Sequence, residues 1–428
     1  MLWRTFSSVS TATALNTCVG AVFWAIGARE FAINSIALAT TVIALAGMLQ
    51  VFGNFGIGTL VIYRLGALDR TRQRDYLAKS LILVGILAGC LAVVSVGLLS
   101  LLRAGTLSAV GASTSTALIL IVGTGMLAMS IVFDGACGAL SMPGRQVYRN
   151  MGQALGRLGL LGLSILVGLR SPTYIILAWV IPIPIATIGA YLSLRLPRPR
   201  AKTSPLAFVR SEWRLAARHH LLSLSLVATT LATPVVIAGL RPSKEVAWFN
   251  LSRNIGVGLL VLPYYLSLSL MTTTAKSPER LKSDLRRTVL AGLALSIGLL
   301  IGVAVLGYPV LKIYGGYYAS RGYASLVLLL ACGPFLVLRD QWVIVQRSMN
   351  RLVSAASYVG ACSLAELAAI SLAAKFLGID AACTAWLICV AIESVIFGPP
   401  LFQLARTPPS DRGREGPVIS SGSTGDCC

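Results

Sequence analysis

The chain has 428 residues, 56% of them hydrophobic and only 12% charged, and its mean hydropathy is +0.80. So little charge cannot coat a water-soluble globule of this size, which excludes a soluble fold and places the chain in a membrane. The formal net charge of +21 would suggest a nucleic-acid partner in a soluble protein; here the charge follows membrane topology, and no nucleic acid is expected.

A span needs about 20 mostly apolar residues. Twelve stretches qualify: 8–28, 34–62, 78–102, 115–139, 147–168, 173–194, 219–240, 246–274, 288–311, 322–346, 354–374 and 381–404. The expected fold is an all-α integral membrane protein of about twelve transmembrane helices. Six spans precede the basic segment 195–218 and six follow it. The expected layout is therefore a six-helix lobe over 1–194, a cytoplasmic linker over 195–218, a second six-helix lobe over 219–404, and a disordered tail over 405–428.

In chain order, Met1–Arg4 runs almost directly into the first span, which reads as a retained signal anchor rather than a cleaved peptide. That span carries Ser8, Ser10, Thr11, Thr13, Asn16 and Thr17, a poor surface to show to lipid. The second span adds Gln50 and Asn54, four residues apart and hence on one helical face. Asp134 lies in the fourth span. The fifth holds Gly152, Gly156 and Gly159, a small-residue stripe read as helix packing, with Arg157 beside it. Pro182 and Pro184 are expected to break the sixth, as are Pro234, Pro263, Pro334 and Pro399-Pro400 in later spans.

The linker is Pro-rich and basic at first. From Pro205 it alternates apolar residues with Arg210, Glu212, Arg214 and Arg218, the pattern of a short amphipathic helix on the membrane surface. In the second half, Asn250, Arg253 and Asn254 sit in the eighth span, Pro334, Arg339 and Asp340 in the tenth, and Glu366 and Glu393 in the last two. Glu30-Phe31-Ala32 and Glu245-Val246-Ala247 open the second and eighth spans, a faint repeat between the halves. Equal span numbers favour parallel repeats related by an axis normal to the membrane.

With both termini cytoplasmic, cytoplasmic segments carry 25 of the 36 Lys and Arg and outer loops carry 8. This satisfies the positive-inside rule, and the opposite orientation violates it. Seven of the nine cysteines fall within spans, so they form no disulfide framework; Cys427 and Cys428 belong to the tail.

Asp134, Arg157, Arg253, Arg339, Asp340, Glu366 and Glu393 are charged residues inside spans. Unrelieved, they would cost about 20 kcal/mol in all, more than the net stability of a typical domain. They have to face a wet cavity or pair. Arg339 is expected to meet Glu366 or Glu393, and adjacent Asp340 to point about 100° away. Asn250, Asn254, Arg253, Arg157, Asn16, Gln50 and Asn54, with Arg339, are the candidate cavity lining. Asp134, Asp340, Glu366 and Glu393 are candidates for ion pairing or ion coupling.

Catalytic chemistry is missing from the pattern. His219 and His220 are adjacent and cannot form a metal pair at helical spacing, no phosphate-binding Gly-rich loop occurs, and the outer loops are short. No catalytic residue, metal or other cofactor is expected.

The segment 24–66 resembles the opening of polysaccharide-export flippases of the MOP superfamily. It carries Ala28-Arg29-Glu30-Phe31 and Phe52-Gly53-Asn54-Phe55-Gly56-Ile57-Gly58, with Asn54 where the family commonly has Asp. Ala247-Trp248-Phe249-Asn250-Leu251-Ser252-Arg253, Leu262-Pro263 and Tyr314-Gly315-Gly316-Tyr317-Tyr318 resemble further patterns of that family. The resemblance implies a V-shaped pair of six-helix lobes around a cationic cavity, working by alternating access. The implied substrate is a polyprenyl-diphosphate-linked oligosaccharide moved outward across a bacterial inner membrane, with polysaccharide polymerase or ligase proteins as partners beside the membrane lipid. A multidrug exporter of the same superfamily is the alternative, and a membrane-embedded glycan polymerase or glycosyltransferase a weaker one.

Overall fold

The computed structural model describes residues 17–101, 105–197, 205–274, 281–349 and 351–406. These residues are almost entirely helical, with no strand among them. A backbone in hydrocarbon has to satisfy its own hydrogen bonds, and a helix does so within one segment.

The first half contains α1 (17–30), α2 (Ile33–Asn54), α3 (Ile57–Arg64), α4 (Arg70–Leu101), α5 (Gly105–Ala112), α6 (Thr114–Ala139), α7 (Pro143–Leu166), α8 (Pro172–Val180) and α9 (Pro182–Ser193). The second contains α10 (Pro205–Leu240), α11 (Ser243–Thr274), α12 (Leu281–Lys312), α13 (Gly316–Ala331), α14 (Gly333–Ser348), α15 (Leu352–Phe376) and α16 (Ile379–Arg406).

Nine segments among the described residues are long and apolar enough to cross a membrane, and each coincides with an expected span. Of the other three expected spans, 8–28 begins outside the described residues. The remaining two correspond to α7 and α11, long helices that carry polar residues in their first turns. Their polarity has a structural reason: Arg149, Gln153, Asn250 and Ser252 are all buried against protein, so these faces never meet lipid.

The structure corrects the sequence reading in several places. The stretch 34–62 is not one helix: Phe55 (φ 46°) and Gly56 (φ 78°) adopt left-handed backbone and separate α2 from α3. The segment 103–114 between the third and fourth expected spans, read as a loop, contains a helix, α5. Residues from Pro205 onward are not a separate surface helix, because α10 runs unbroken for 36 residues across the expected boundary at 218–219. The prolines break two spans, but Pro234, Pro263 and the pair Pro399-Pro400, also expected to break spans, lie inside the continuous helices α10, α11 and α16. The sixth span divides into α8 and α9 at Ile181–Pro182, and the tenth divides into α13 and α14 just before Pro334. The tail 407–428 lies outside the described residues.

The helices sort into two groups. In the first, α2 and α4 pack on α6, and α7 on α8 and α9; in the second, α10 packs on α15, α15 on α16, and α11 on α12, α13 and α14. The groups meet where α2 lies against α10 and α11, with α3 and α5 also against α10. One apolar core is shared across this junction, including Phe23, Ile36 and Leu45 from one side and Phe249, Leu329 and Trp386 from the other.

Two glycines bring the first half onto α10. A Cβ on Gly56 would lie 2.0 Å from the Ala216 carbonyl oxygen, and one on Gly105 (φ 50°) 2.6 Å from that of Ala238. Both approaches are closer than any side chain permits. Beside Gly105, the hydroxyls of Thr106 and Ser243 are 3.1 Å apart. Arg29 Nε also donates to the Ile313 carbonyl at 2.8 Å, so the two halves are fastened at the end where α1 meets α2.

Candidate functional site

The membrane-embedded charges divide into two paired clusters and two unpaired guanidinium groups. In the first half, Arg149 of α7 grips Asp134 of α6 with two parallel bonds, Nε to Oδ1 at 2.8 Å and Nη2 to Oδ2 at 2.5 Å. Its remaining donors reach Ser130, Gln153 Oε1 (2.8 Å) and Asn150 Oδ1 (2.6 Å). Arg149 is buried, and all its hydrogen-bonding capacity is directed at neighbours. The forked geometry of a guanidinium matches a carboxylate in this way and a lysine could not reproduce it.

In the second half, Arg339 of α14 lies 3.3 Å from Glu366 of α15 and 3.7 Å from Glu393 of α16. The expected pairing is thus found with both glutamates. Asp340 departs from expectation: its Oδ1 comes within 3.9 Å of Arg339 Nε despite the adjacent position. Side-chain length lets the two groups bend toward each other where the Cα–Cβ vectors diverge. Three carboxylates therefore surround one guanidinium, and Glu366 is completely buried.

Arg157 and Arg253 are held differently. Arg157 Nε donates to the Trp179 carbonyl at 3.2 Å, and its guanidinium carbon lies 4.1 Å above the centre of the Trp179 ring. Trp179 is in the last turn of α8, where the helix dipole and free carbonyls attract a cation, and the ring face adds a cation–π contact. Arg253 Nη2 donates to the Thr230 carbonyl of α10. Neither arginine has a carboxylate partner among the described residues. They lie about 21 Å and about 15 Å from the starts of α7 and α11 along the helix axes.

The polar residues expected in the cavity take separate places. Asn250 is buried and donates through Nδ2 to Thr40 Oγ1 of α2 at 3.1 Å, while its Oδ1 lacks a hydrogen-bond partner among the described residues. Asn254, one turn further along α11, is half-buried. Gln50 is buried with its Oε1 likewise unpartnered. Asn54 does local work: its Oδ1 accepts the Gly58 amide at 2.7 Å and so caps the start of α3 after the left-handed turn. Asn16 lies outside the described residues.

Two contributors went unread in the sequence. Arg149 is missing from the charges read from the sequence, yet Arg149, Gln153 and Arg157 recur every four residues and form one polar stripe on α7; that spacing is the available signal. Arg347 falls just past the expected tenth span, 322–346, but lies in the last turn of α14 with its Nε buried and without a hydrogen-bond partner among the described residues. No group of three metal-ligating side chains occurs among the described residues.

No protein-family model and no curated protein matches the chain. Solved structures do. The lipid II flippase MurJ in an inward closed conformation superposes with a TM-score of 0.70 at 13% identity, covering 95% of this chain and 88% of that one. An outward-facing multidrug resistance MATE family transporter of the MOP superfamily gives 0.66 at 12%, covering 94% and 96%. A MOP superfamily transporter from Pyrococcus furiosus, described as having a binding pocket of reverse polarity, gives 0.63 at 13%, covering 94% and 96%. The chain thus has the multi-helix membrane fold of these MOP superfamily structures, named for transport or flipping rather than catalysis.

Proposed function

We propose that this MOP-fold chain is a transporter that carries a polyprenyl-diphosphate-linked oligosaccharide from the cytoplasmic to the outer leaflet, by alternating access and with no covalent change to it. The observation that carries the reading is the pair Arg157 and Arg253, one in each half. Each is a fixed cation inside the membrane, held by backbone carbonyls rather than carboxylates. A diphosphate supplies the missing anion and accepts charge-assisted, forked hydrogen bonds from guanidinium groups. The glycan would pass between the two helix groups, and the polyprenyl tail would stay in lipid. Asn250, Asn254 and Gln50 supply polar groups on α11 and α2 at the junction. The proposed setting is a bacterial inner membrane with both termini cytoplasmic, as the basic loops favour, beside the proteins that polymerise or ligate the glycan.

Coupling falls to the second half. Glu366, Glu393 and Asp340 outnumber Arg339, and the excess negative charge calls for a proton or a monovalent cation. That excess is also the one observation favouring export of organic cations, the second reading. It is the weaker reading because Arg339 occupies the centre of the cluster and Glu366 is inaccessible.

Purified protein in vesicles carrying a fluorescent polyprenyl-diphosphate sugar tests the proposal, with leaflet exchange read by an impermeant quencher. Protein-dependent exchange of the diphosphate lipid is expected. Exchange no faster than in empty vesicles, with efflux of cationic dyes instead, would move the assignment to the second reading. Elongation of the sugar would assign a polymerase.

A further inference from the structure

A second binding site lies on the wall of the first half, away from the junction. A cavity of about 260 Å³ opens at the end of α4, between the turn joining α6 to α7 and the end of α9. Arg70, Gln73, Ser141 and Arg195 line it. Arg70 and Arg195 are both exposed and have no acidic partner among the described residues. Of the three non-glycine residues with left-handed backbone among those described, Ser141 (φ 56°) and Arg195 (φ 49°) both belong to this cavity. Strained backbone of this kind persists where the surroundings enforce it, and it concentrates at binding sites.

A separate apolar groove of about 530 Å³ runs between α7 and α9, lined by Gly152, Gly156, Gly159, Ile181, Ile185 and Gly189 among others. The glycine stripe was expected to pack helices together. Gly152 and Gly156 do so, since a Cβ would meet Ala186 at 3.7 Å and Pro182 at 2.9 Å, whereas a Cβ on Gly159 or Gly189 would meet nothing within 4 Å. At those positions the absent side chain leaves open space instead. The α9 segment borders both features: Gly189 within the helix lines the groove, and Leu194 and Arg195 just past its end line the cavity.

We propose that the cavity and groove together bind one anionic phospholipid of the bilayer, its phosphodiester between Arg70 and Arg195 and one acyl chain lying along Gly189 and Gly159. Charge complementarity selects the head, because basic pockets at the cytoplasmic rim of a helix bundle attract anionic lipid. Position selects a resident lipid over transported cargo. The groove lining leaves out Arg157, the α7 residue proposed to hold cargo, whose guanidinium lies on Trp179 of α8 instead. The bound lipid would tie α9 to the start of α4 and the α6–α7 turn.

The test uses the full chain in phosphatidylethanolamine nanodiscs, titrated with phosphatidylglycerol and read by native mass spectrometry and thermal unfolding. One tightly retained phosphatidylglycerol with a raised unfolding temperature is expected, and glycerol phosphate alone should have no effect. Arg70→Ala and Arg195→Asn should each weaken retention about fivefold; asparagine tolerates the left-handed backbone at 195. Gly189→Leu has room to fold and should displace the lipid with both arginines intact. Unchanged retention in the Arg70→Ala/Arg195→Asn double variant, or in Gly189→Leu, overturns the proposal. Polyprenyl phosphate competing out phosphatidylglycerol at equal concentration also overturns it, by assigning the site to cargo.

Discussion

Asn250 Nδ2 donates to Thr40 Oγ1 over 3.1 Å, and this buried bond joins the two halves of the chain. The helices it links, α11 and α2, are the ones opened by Glu245-Val246-Ala247 and Glu30-Phe31-Ala32. The weak internal repeat read in the sequence therefore marks the two helices that lie against each other at the junction. Hydrogen bonds between helices in membranes average about 0.6 kcal/mol. Asn250→Leu should accordingly shift the balance between conformations about threefold toward separation of the halves. Distances between spin labels at Ala109 and Ser320 would report it, and an unchanged distribution would show that the bond does not hold the junction.

The glycine contacts on α10 predict a larger effect. Gly105→Ala places a methyl group 2.6 Å from the Ala238 carbonyl oxygen on a backbone with φ 50°, so the closure seen here cannot form unaltered. A cysteine at Ser243 in that variant should react faster with an impermeant maleimide than in the parent background. Equal rates would mean that α5 adjusts without opening the junction.

The Asp134–Arg149 pair predicts a stability effect without a direct role in cargo binding. Removing one partner of a buried pair costs about 3–5 kcal/mol; the aspartate is 21% exposed, so the lower end applies. Asp134→Asn and Arg149→Met should each lower the unfolding temperature. The double variant should lose less than the sum, because no charge is then stranded. Strict additivity would show that the pair is not coupled in the folded protein.

Around Arg339, Glu366→Gln and Glu393→Gln should each be tolerated, since the other glutamate remains within 3.7 Å. The double variant leaves only Asp340 at 3.9 Å and should express poorly, with an interaction energy of about 0.5–3 kcal/mol by double-mutant cycle. Normal yield of the double variant would show that Arg339 needs neither glutamate.

Hydrophobic length made the helices legible, and prolines marked the breaks at 181–182 and before 334. Pairing of Arg339 with the last two helices was legible because so few carboxylates are available within the second half. Other features were hidden for physical reasons. The continuity of α10 was obscured because its amphipathic start carries charge that apolar-window reasoning treats as the end of a span. The open groove beside Gly159 is not legible because glycine spacing shows where helices can approach, not whether each position does. Arg149 stands only two residues inside the expected span 147–168 and so does not stand out as a buried charge, while its ligands come from α6 and from α7 itself.

The central claim is that unpaired guanidinium groups inside the membrane hold an anionic cargo, and Arg253 tests it most directly. In reconstituted vesicles, Arg253→Ala should reduce translocation of the polyprenyl-diphosphate sugar at least about tenfold, since a charge-assisted hydrogen bond contributes about 1.5–3 kcal/mol. Its unfolding temperature should stay near that of the parent, because only a carbonyl contact to Thr230 is lost. Arg253→Lys should retain part of the activity, keeping the charge but not the fork. Full translocation by well-folded Arg253→Ala would contradict the account.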